Sequence, residues 1–167
     1  MRASFVTTAG AITALASCIP APALADPDRD AAVVDDSVIV VTANRTPQPI
    51  ERVGQSVTVL DDAELSRRQT RTVADILRTV PGVSITRNGG IGATTSVFIR
   101  GAESDQTVAL IDGVKLNDPS SPGGGFNFGN LLVGNIERIE VLRGPSSVLW
   151  GSQAIGGVVN MITRQPT

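Results

Sequence analysis

The chain has no histidine and no tyrosine, and only one cysteine, one tryptophan and four phenylalanines in 167 residues. Cys18 lies near the N-terminus, so the rest of the chain lacks the usual general base, the thiolate nucleophile and the transition-metal ligands. Asp, Glu and Lys remain, but nothing arranges them as a catalytic set. The chain therefore reads as a non-enzyme, with no expected metal site or cofactor, and a hydrolase is excluded for want of a nucleophile and base pair. Basic residues are scattered apart from Arg67-Arg68 and Arg71, and the formal net charge is −2, so nucleic-acid binding finds no support. Aromatics are too few for the interfacial girdles of a transmembrane barrel, and the alternating segments of about ten residues that build one are missing. A chain of this size fits one domain with a modest core.

What is present begins with a targeting signal. Met1 to Ala25 holds one basic residue, an apolar run from Phe5 to Ile19 and the cleavage pattern Ala23-Leu24-Ala25, which predicts a secretory signal peptide and export. The run is too short and too rich in Ala, Ser and Thr to span a bilayer. Leu15-Ala16-Ser17-Cys18 offers a second reading, lipidation at Cys18. It ranks below cleavage because Ala25 directly precedes the acidic start Asp26-Pro27-Asp28.

Residues 26–36 are acidic and without hydrophobic period, which predicts a disordered leader. Val38 to Val41 follows as a β-branched run, with Thr46-Pro47-Gln48-Pro49 beyond it. It can be read as an edge strand of the domain, or as an exposed segment that adds to a partner's sheet, with the prolines separating it from the folded body. Ser56 to Leu60 predicts a strand, and Asp61-Asp62 open a short helix through Arg67. A second helix is better signalled: Thr72 and Asp75 form a capping pair, Val73, Ile76, Leu77 and Val80 share one face, and Pro81-Gly82 ends the run. Short strands are expected over Val83 to Thr86, Val97 to Arg100, Val108 to Ile111, Ile136 to Leu142 and Val158 to Thr163, with Asp112-Gly113 as a turn. The fold class is α+β, a small mixed β-sheet with short helices. Gly151-Ser152-Gln153-Ala154-Ile155-Gly156-Gly157 has phosphate-loop glycine spacing, but Gly157 stands where the lysine belongs. Its glycines read as tight turns and close backbone approach.

The ordered set Leu77-Arg78-Thr79-Val80-Pro81-Gly82-Val83, Phe98-Ile99-Arg100-Gly101, Leu110-Ile111-Asp112-Gly113-Val114, Ile136-Glu137-Arg138-Ile139-Glu140-Val141-Leu142-Arg143-Gly144-Pro145 and Gly151 to Thr163 resembles the plug domain of TonB-dependent outer-membrane receptors. Ser37-Val38-Ile39-Val40-Val41-Thr42-Ala43 resembles the TonB box of that family. Through Val40-Val41-Thr42-Ala43-Asn44-Arg45 and Asn88-Gly89-Gly90 the set is most similar to cobalamin receptors.

The resemblance implies a gate in an active outer-membrane transporter. Residues 37–43 would bind a TonB-type energy-coupling protein, 44–53 would be a linker, 54–163 the plug, and 164–167 the start of the connection to a barrel absent from this chain. That twenty-two-stranded barrel would belong to the same protein or to a separate one. Arg100 and Arg143 would face carboxylates on its wall; from their own context, both are expected to be partly buried. Ile91, Gly92, Ala93, Thr94 and Thr95, with Asp118, Pro119, Ser120, Ser121, Phe126 and Phe128, would be the plug's share of a ligand site. The ligand would be a corrinoid, with a ferric siderophore as the alternative. Ala93 and the glycine-rich, aromatic second loop depart from the family's pattern. A free-standing periplasmic binding or signalling module is the other class of function the same residues allow.

Overall fold

The computed structural model describes residues 38–40, 42–116, 118 and 121–165. The expected signal peptide and leader, together with Ser37, Val41, Pro119 and Ser120, lie outside the described residues.

Capping chemistry sets the first two helices. Helix α1 (Asp62–Arg68) begins where the Asp61 carboxylate accepts the Glu64 N–H at 2.7 Å, carries Asp62 and Glu64 in its first turn and Arg67 and Arg68 in its last. Glu64 pairs with both arginines one turn on. Helix α2 (Val73–Leu77) starts at Thr72, whose hydroxyl oxygen accepts the Asp75 N–H at 3.2 Å and donates to the Asp75 carboxylate at 2.6 Å. Arg87 closes on the same carboxylate at 3.0 Å. These contacts, the Thr72 hydrogen bond first, hold the Asp75 carboxyl below its ordinary range. Val73, Ile76 and Leu77 are fully buried, as their spacing requires, each adding about 1.5–3 kcal/mol of apolar burial. The helix ends at Leu77, and Val80 reaches the core from the following turn.

The main sheet has five strands in the order β3-β8-β9-β6-β7. These are β3 (Ser56–Leu60), β8 (Ile136–Arg143), β9 (Gly157–Thr163), β6 (Thr107–Ile111) and β7 (Val114–Leu116). Only β6 and β9 run parallel; the other pairs are antiparallel. Asp112 and Gly113 join β6 to β7 with φ of +49° and +79°, the tight hairpin that an Asp-Gly pair favours. Strands β4 (Val83–Arg87) and β5 (Thr95–Ile99) form a separate antiparallel pair. The α+β class with a small mixed sheet is thus observed.

Alternation along the central strands sends side chains to two opposite cores. Ala109, Ile139, Val141, Val159 and Met161 join α1, α2 and the β4-β5 pair on one face. Val108, Leu110, Leu142 and Val158 face the other way, onto α3 (Ser147–Trp150) and the N-terminal segment. Gly157 is needed where β9 enters the sheet. A Cβ there would lie 2.3 Å from the Leu142 carbonyl oxygen, which accounts for a glycine where a phosphate loop would carry lysine.

The N-terminal segment departs from its expected separation. Strand β1 (Ile39–Val40) pairs antiparallel with β2 (Gln48–Pro49), Ile39 opposite Pro49, so a proline expected to end the ladder sits inside it. It is tolerated because this two-stranded pair is all edge. Val40 and Thr42 are fully buried and Ala43 is 2% exposed. Residues expected to stand clear of the body are packed against it, because Val40 and Ala43 complete the second core.

Candidate functional site

The docked segment is held by a polar clamp on the second face of the sheet. Glu140 of β8 and Asn160 of β9 are cross-strand partners, and their side chains converge on Thr42. The Glu140 carboxylate accepts the Thr42 N–H at 2.9 Å and its hydroxyl at 2.5 Å, while Asn160 Nδ2 donates to that hydroxyl at 3.1 Å. Trp150 Nε1 donates to the Thr42 carbonyl at 2.9 Å. Every polar group of Thr42 is thereby satisfied by residues 98 to 118 positions away. Arg138 Nη2 lies 3.1 Å from Glu140 Oε1 and balances its buried charge. Arg45, at a φ of +59°, lies over the Trp150 ring at 4.4 Å and covers the clamp. Sequence reasoning named the segment but missed Glu140, Asn160 and Trp150, because a lone polar residue within a strand carries no signal of its partner.

A second feature gathers the two irregular loops. Asn127 Oδ1 accepts the N–H groups of Thr95 and Gly129 at 2.8 and 3.0 Å, stitching residues 91–95 to residues 121–129. Between them lies a pocket of about 130 Å³ lined by Thr94, Ser96, Ser104, Asp118, Ser121, Gly125, Phe126 and Asn127. Of the residues expected to meet a ligand, Thr94, Asp118, Ser121 and Phe126 line it. Ile91 and Gly92 are exposed beside it, and Ala93 is half-buried. Thr95 and Phe128 are buried: the Thr95 hydroxyl donates to the Ala93 carbonyl, and Phe128 sits in the first core, edge-on to Phe126 at 5.2 Å. Ser96, Ser104 and Asn127 were not expected. Ser104 comes from a short 3₁₀ turn that belongs to neither loop, and nothing local marks it. The wall holds hydroxyls, an amide and one carboxylate, with no cation. From residue 88 to 99 and from 116 to 137 the chain has neither Lys nor Arg.

Arg100 and Arg143 end close together. The Arg100 guanidinium lies over Gly144, where a Cβ would be 3.3 Å from its Nη1. Arg143 is half-buried and donates to the Pro81 carbonyl at 2.8 Å and the Thr58 hydroxyl at 3.0 Å. Arg100, expected to be partly buried, is exposed: its φ of +53° turns it out of the strand. Among the described residues neither arginine pairs with a carboxylate. Nor do the described residues contain a group of three or more Asp, Glu, His or Cys able to hold a metal ion.

The chain is 45% identical over 131 residues to the vitamin B12 transporter BtuB of Vibrio vulnificus, a match that covers 78% of this chain and 21% of that protein. The chain thus spans about a fifth of its curated relative. The siderophore receptor PirA of Acinetobacter baumannii superposes with a TM-score of 0.54 at 32% identity, covering 66% of this chain and 17% of that one. The ferripyoverdine receptor of the Pseudomonas aeruginosa outer membrane shares the fold, with a TM-score of 0.64 at 23% identity over 78% of this chain and 17% of its own. The TonB-dependent receptor plug domain profile matches residues 49–158, about two thirds of the sequence, and the chain belongs to that family.

Proposed function

We propose that the chain is the gate and ligand-recognition part of a TonB-dependent active transporter of the outer membrane, and that its cargo is a corrinoid. The loop pocket carries this reading. A corrinoid presents neutral amides around its rim, which hydroxyls, Asn127 and backbone groups can meet by hydrogen bonds, and the ring of Phe126, braced from beneath by buried Phe128, adds apolar surface. Ferric siderophores are commonly anionic. A loop pair without Lys or Arg offers them no cation of its own to pair with. The similarity to a vitamin B12 transporter supports the same ligand. The siderophore reading is kept second because PirA is described as a siderophore receptor.

In the gate reading, residues 37–43 add as a strand to the energy-coupling protein, and the clamp on Thr42 holds them back until ligand occupies the loops. Arg100 and Arg143 dock on carboxylates of the surrounding barrel; Arg143 Nε is buried without a hydrogen-bond partner among the described residues, which suits a partner on another element. The chain performs no chemistry of its own. Competition of labelled cyanocobalamin against ferric siderophores on cells making the complete receptor tests the cargo. Saturable corrinoid binding is expected; tight siderophore binding with no corrinoid binding would overturn the corrinoid and leave the gate.

A further inference from the structure

We propose that Gln153 couples the glycine-rich ligand loop to the clamp on Thr42, so that drawing the loop off Gln153 releases the docked segment. The proposal rests on the gate reading above. Gln153 Nε2 donates to the Gly123 carbonyl at 2.6 Å, and its Oε1 accepts from Lys115 Nζ at 2.5 Å. The loop is seated closely on this side chain: a Cβ at Gly124 would lie 2.6 Å from Gln153 Nε2. Ser121, Gly125, Phe126 and Asn127, on either side of that seat, line the pocket.

Three residues before Gln153 stands Trp150, which holds the Thr42 carbonyl. The chain between them is closed on itself. Trp150 N–H reaches the Ser146 carbonyl at 3.0 Å, Gly151 N–H the Ser147 carbonyl at 2.9 Å, Ala154 N–H the Gly151 carbonyl at 2.9 Å, and Ser146 N–H the Ala154 carbonyl at 2.7 Å. Ala154 is fully buried in the same core as Trp150, Val40 and Ala43. A loop tied by its own hydrogen bonds and anchored in a packed core shifts as a unit. Movement at Gln153 therefore reaches the Trp150 indole, and the docked and released states of Thr42 supply the two arrangements that coupling requires. Coupling is reciprocal, so a released segment should also favour the ligand-bound loop.

The test uses the complete receptor carrying Ala43→Cys, at a position only 2% exposed when docked, and measures its rate of reaction with a charged maleimide. Gln153→Glu keeps the acceptor for Lys115 but turns a carboxylate on the Gly123 carbonyl, and Gln153→Leu removes both contacts. Each should raise labelling of ligand-free receptor about threefold to tenfold, the range set by losing one modest hydrogen bond. Cyanocobalamin should accelerate the parent and add nothing further to either variant. Trp150→Phe, which lacks the indole donor, is the control for release, and unchanged circular dichroism identifies folded variants. Lys115→Met loosens the same seat from an exposed position and should label about twofold faster; it decides the question if the Gln153 variants are unstable. Parent-like labelling in the Gln153 variants beside fast labelling in Trp150→Phe would overturn the coupling. Should cyanocobalamin leave the parent unchanged while the Gln153 variants label fast, the corrinoid reading fails and the coupling stands.

Discussion

Glu140 and Thr42 meet across 98 positions of chain, the fully buried carboxylate accepting both the backbone N–H and the hydroxyl of the threonine. The central sheet thus keeps a carboxylate whose hydrogen bonds come partly from the segment that the proposed gate would release. Arg138 remains with Glu140 when Thr42 departs, and water must replace the rest. Undocking is therefore resisted by the loss of the two hydrogen bonds that Glu140 accepts from Thr42, as well as by the apolar contacts of Val40 and Ala43.

Thr42→Val keeps shape and removes the hydroxyl, leaving Glu140 with one donor fewer. Docking should weaken by about 1–3 kcal/mol, the cost of a buried polar group losing its partner. Amide hydrogen exchange of residues 39–43 should speed up about fivefold or more. Unchanged protection would show that the clamp contributes nothing to docking.

Val40→Pro acts on two strands at once. It breaks the pairing with Gln48 and removes a donor from any strand added to a coupling protein. Transport by the complete receptor should be lost with ligand affinity kept, which parallel uptake and binding assays on whole cells would read. Normal uptake would remove residues 37–43 from the coupling role.

The two arginines should behave differently in this chain and alike in a receptor. Arg143→Met loses hydrogen bonds to Pro81 and Thr58 and should cost about 1–2 kcal/mol, whereas exposed Arg100→Met should be within about 0.5 kcal/mol of neutral. Urea unfolding of the 167-residue chain measures both. In a complete receptor the double variant should admit large antibiotics, and intact exclusion would count against docking.

Asp75 gives a pH dependence of known sign. Its pKa is lowered in the folded state, chiefly by the Thr72 hydrogen bond and further by Arg87. It therefore adds stability above the ordinary carboxylate pKa of about 4, and that stability is lost as pH falls through the lower folded value. Asp75→Asn should flatten stability against pH below about 4, and the effect should be modest because the group is partly exposed. Thr72→Ala, which removes the cap itself, should cost about 1 kcal/mol at neutral pH.

Local rules made much of the fold legible. The Thr72 cap and the spacing of Val73, Ile76, Leu77 and Val80 announced a buried helix face, and β-branched runs located β3, β4, β6, β8 and β9 within a residue or two. The short pieces escaped: β7 has three residues and α3 four, too few for a period to show. The site was legible where it is contiguous, as in residues 37–43, though Pro49 was read as a barrier and proved to be a strand partner of Ile39. It was illegible where tertiary register makes it. Glu140 and Asn160 face each other only because β8 and β9 pair as they do, and Ser104 reaches the loop pocket only through the fold.

Trp150 is the sole tryptophan of this chain, and it sits nearly dry, hydrogen-bonded to Thr42 and roofed by Arg45. All indole fluorescence of the 167-residue chain therefore arises at one of the contacts that hold the N-terminal segment in place. Docked protein should emit toward the blue and resist quenching by acrylamide. Release should shift emission to the red and open the ring to the quencher, giving an optical gauge of the gate that needs no added label.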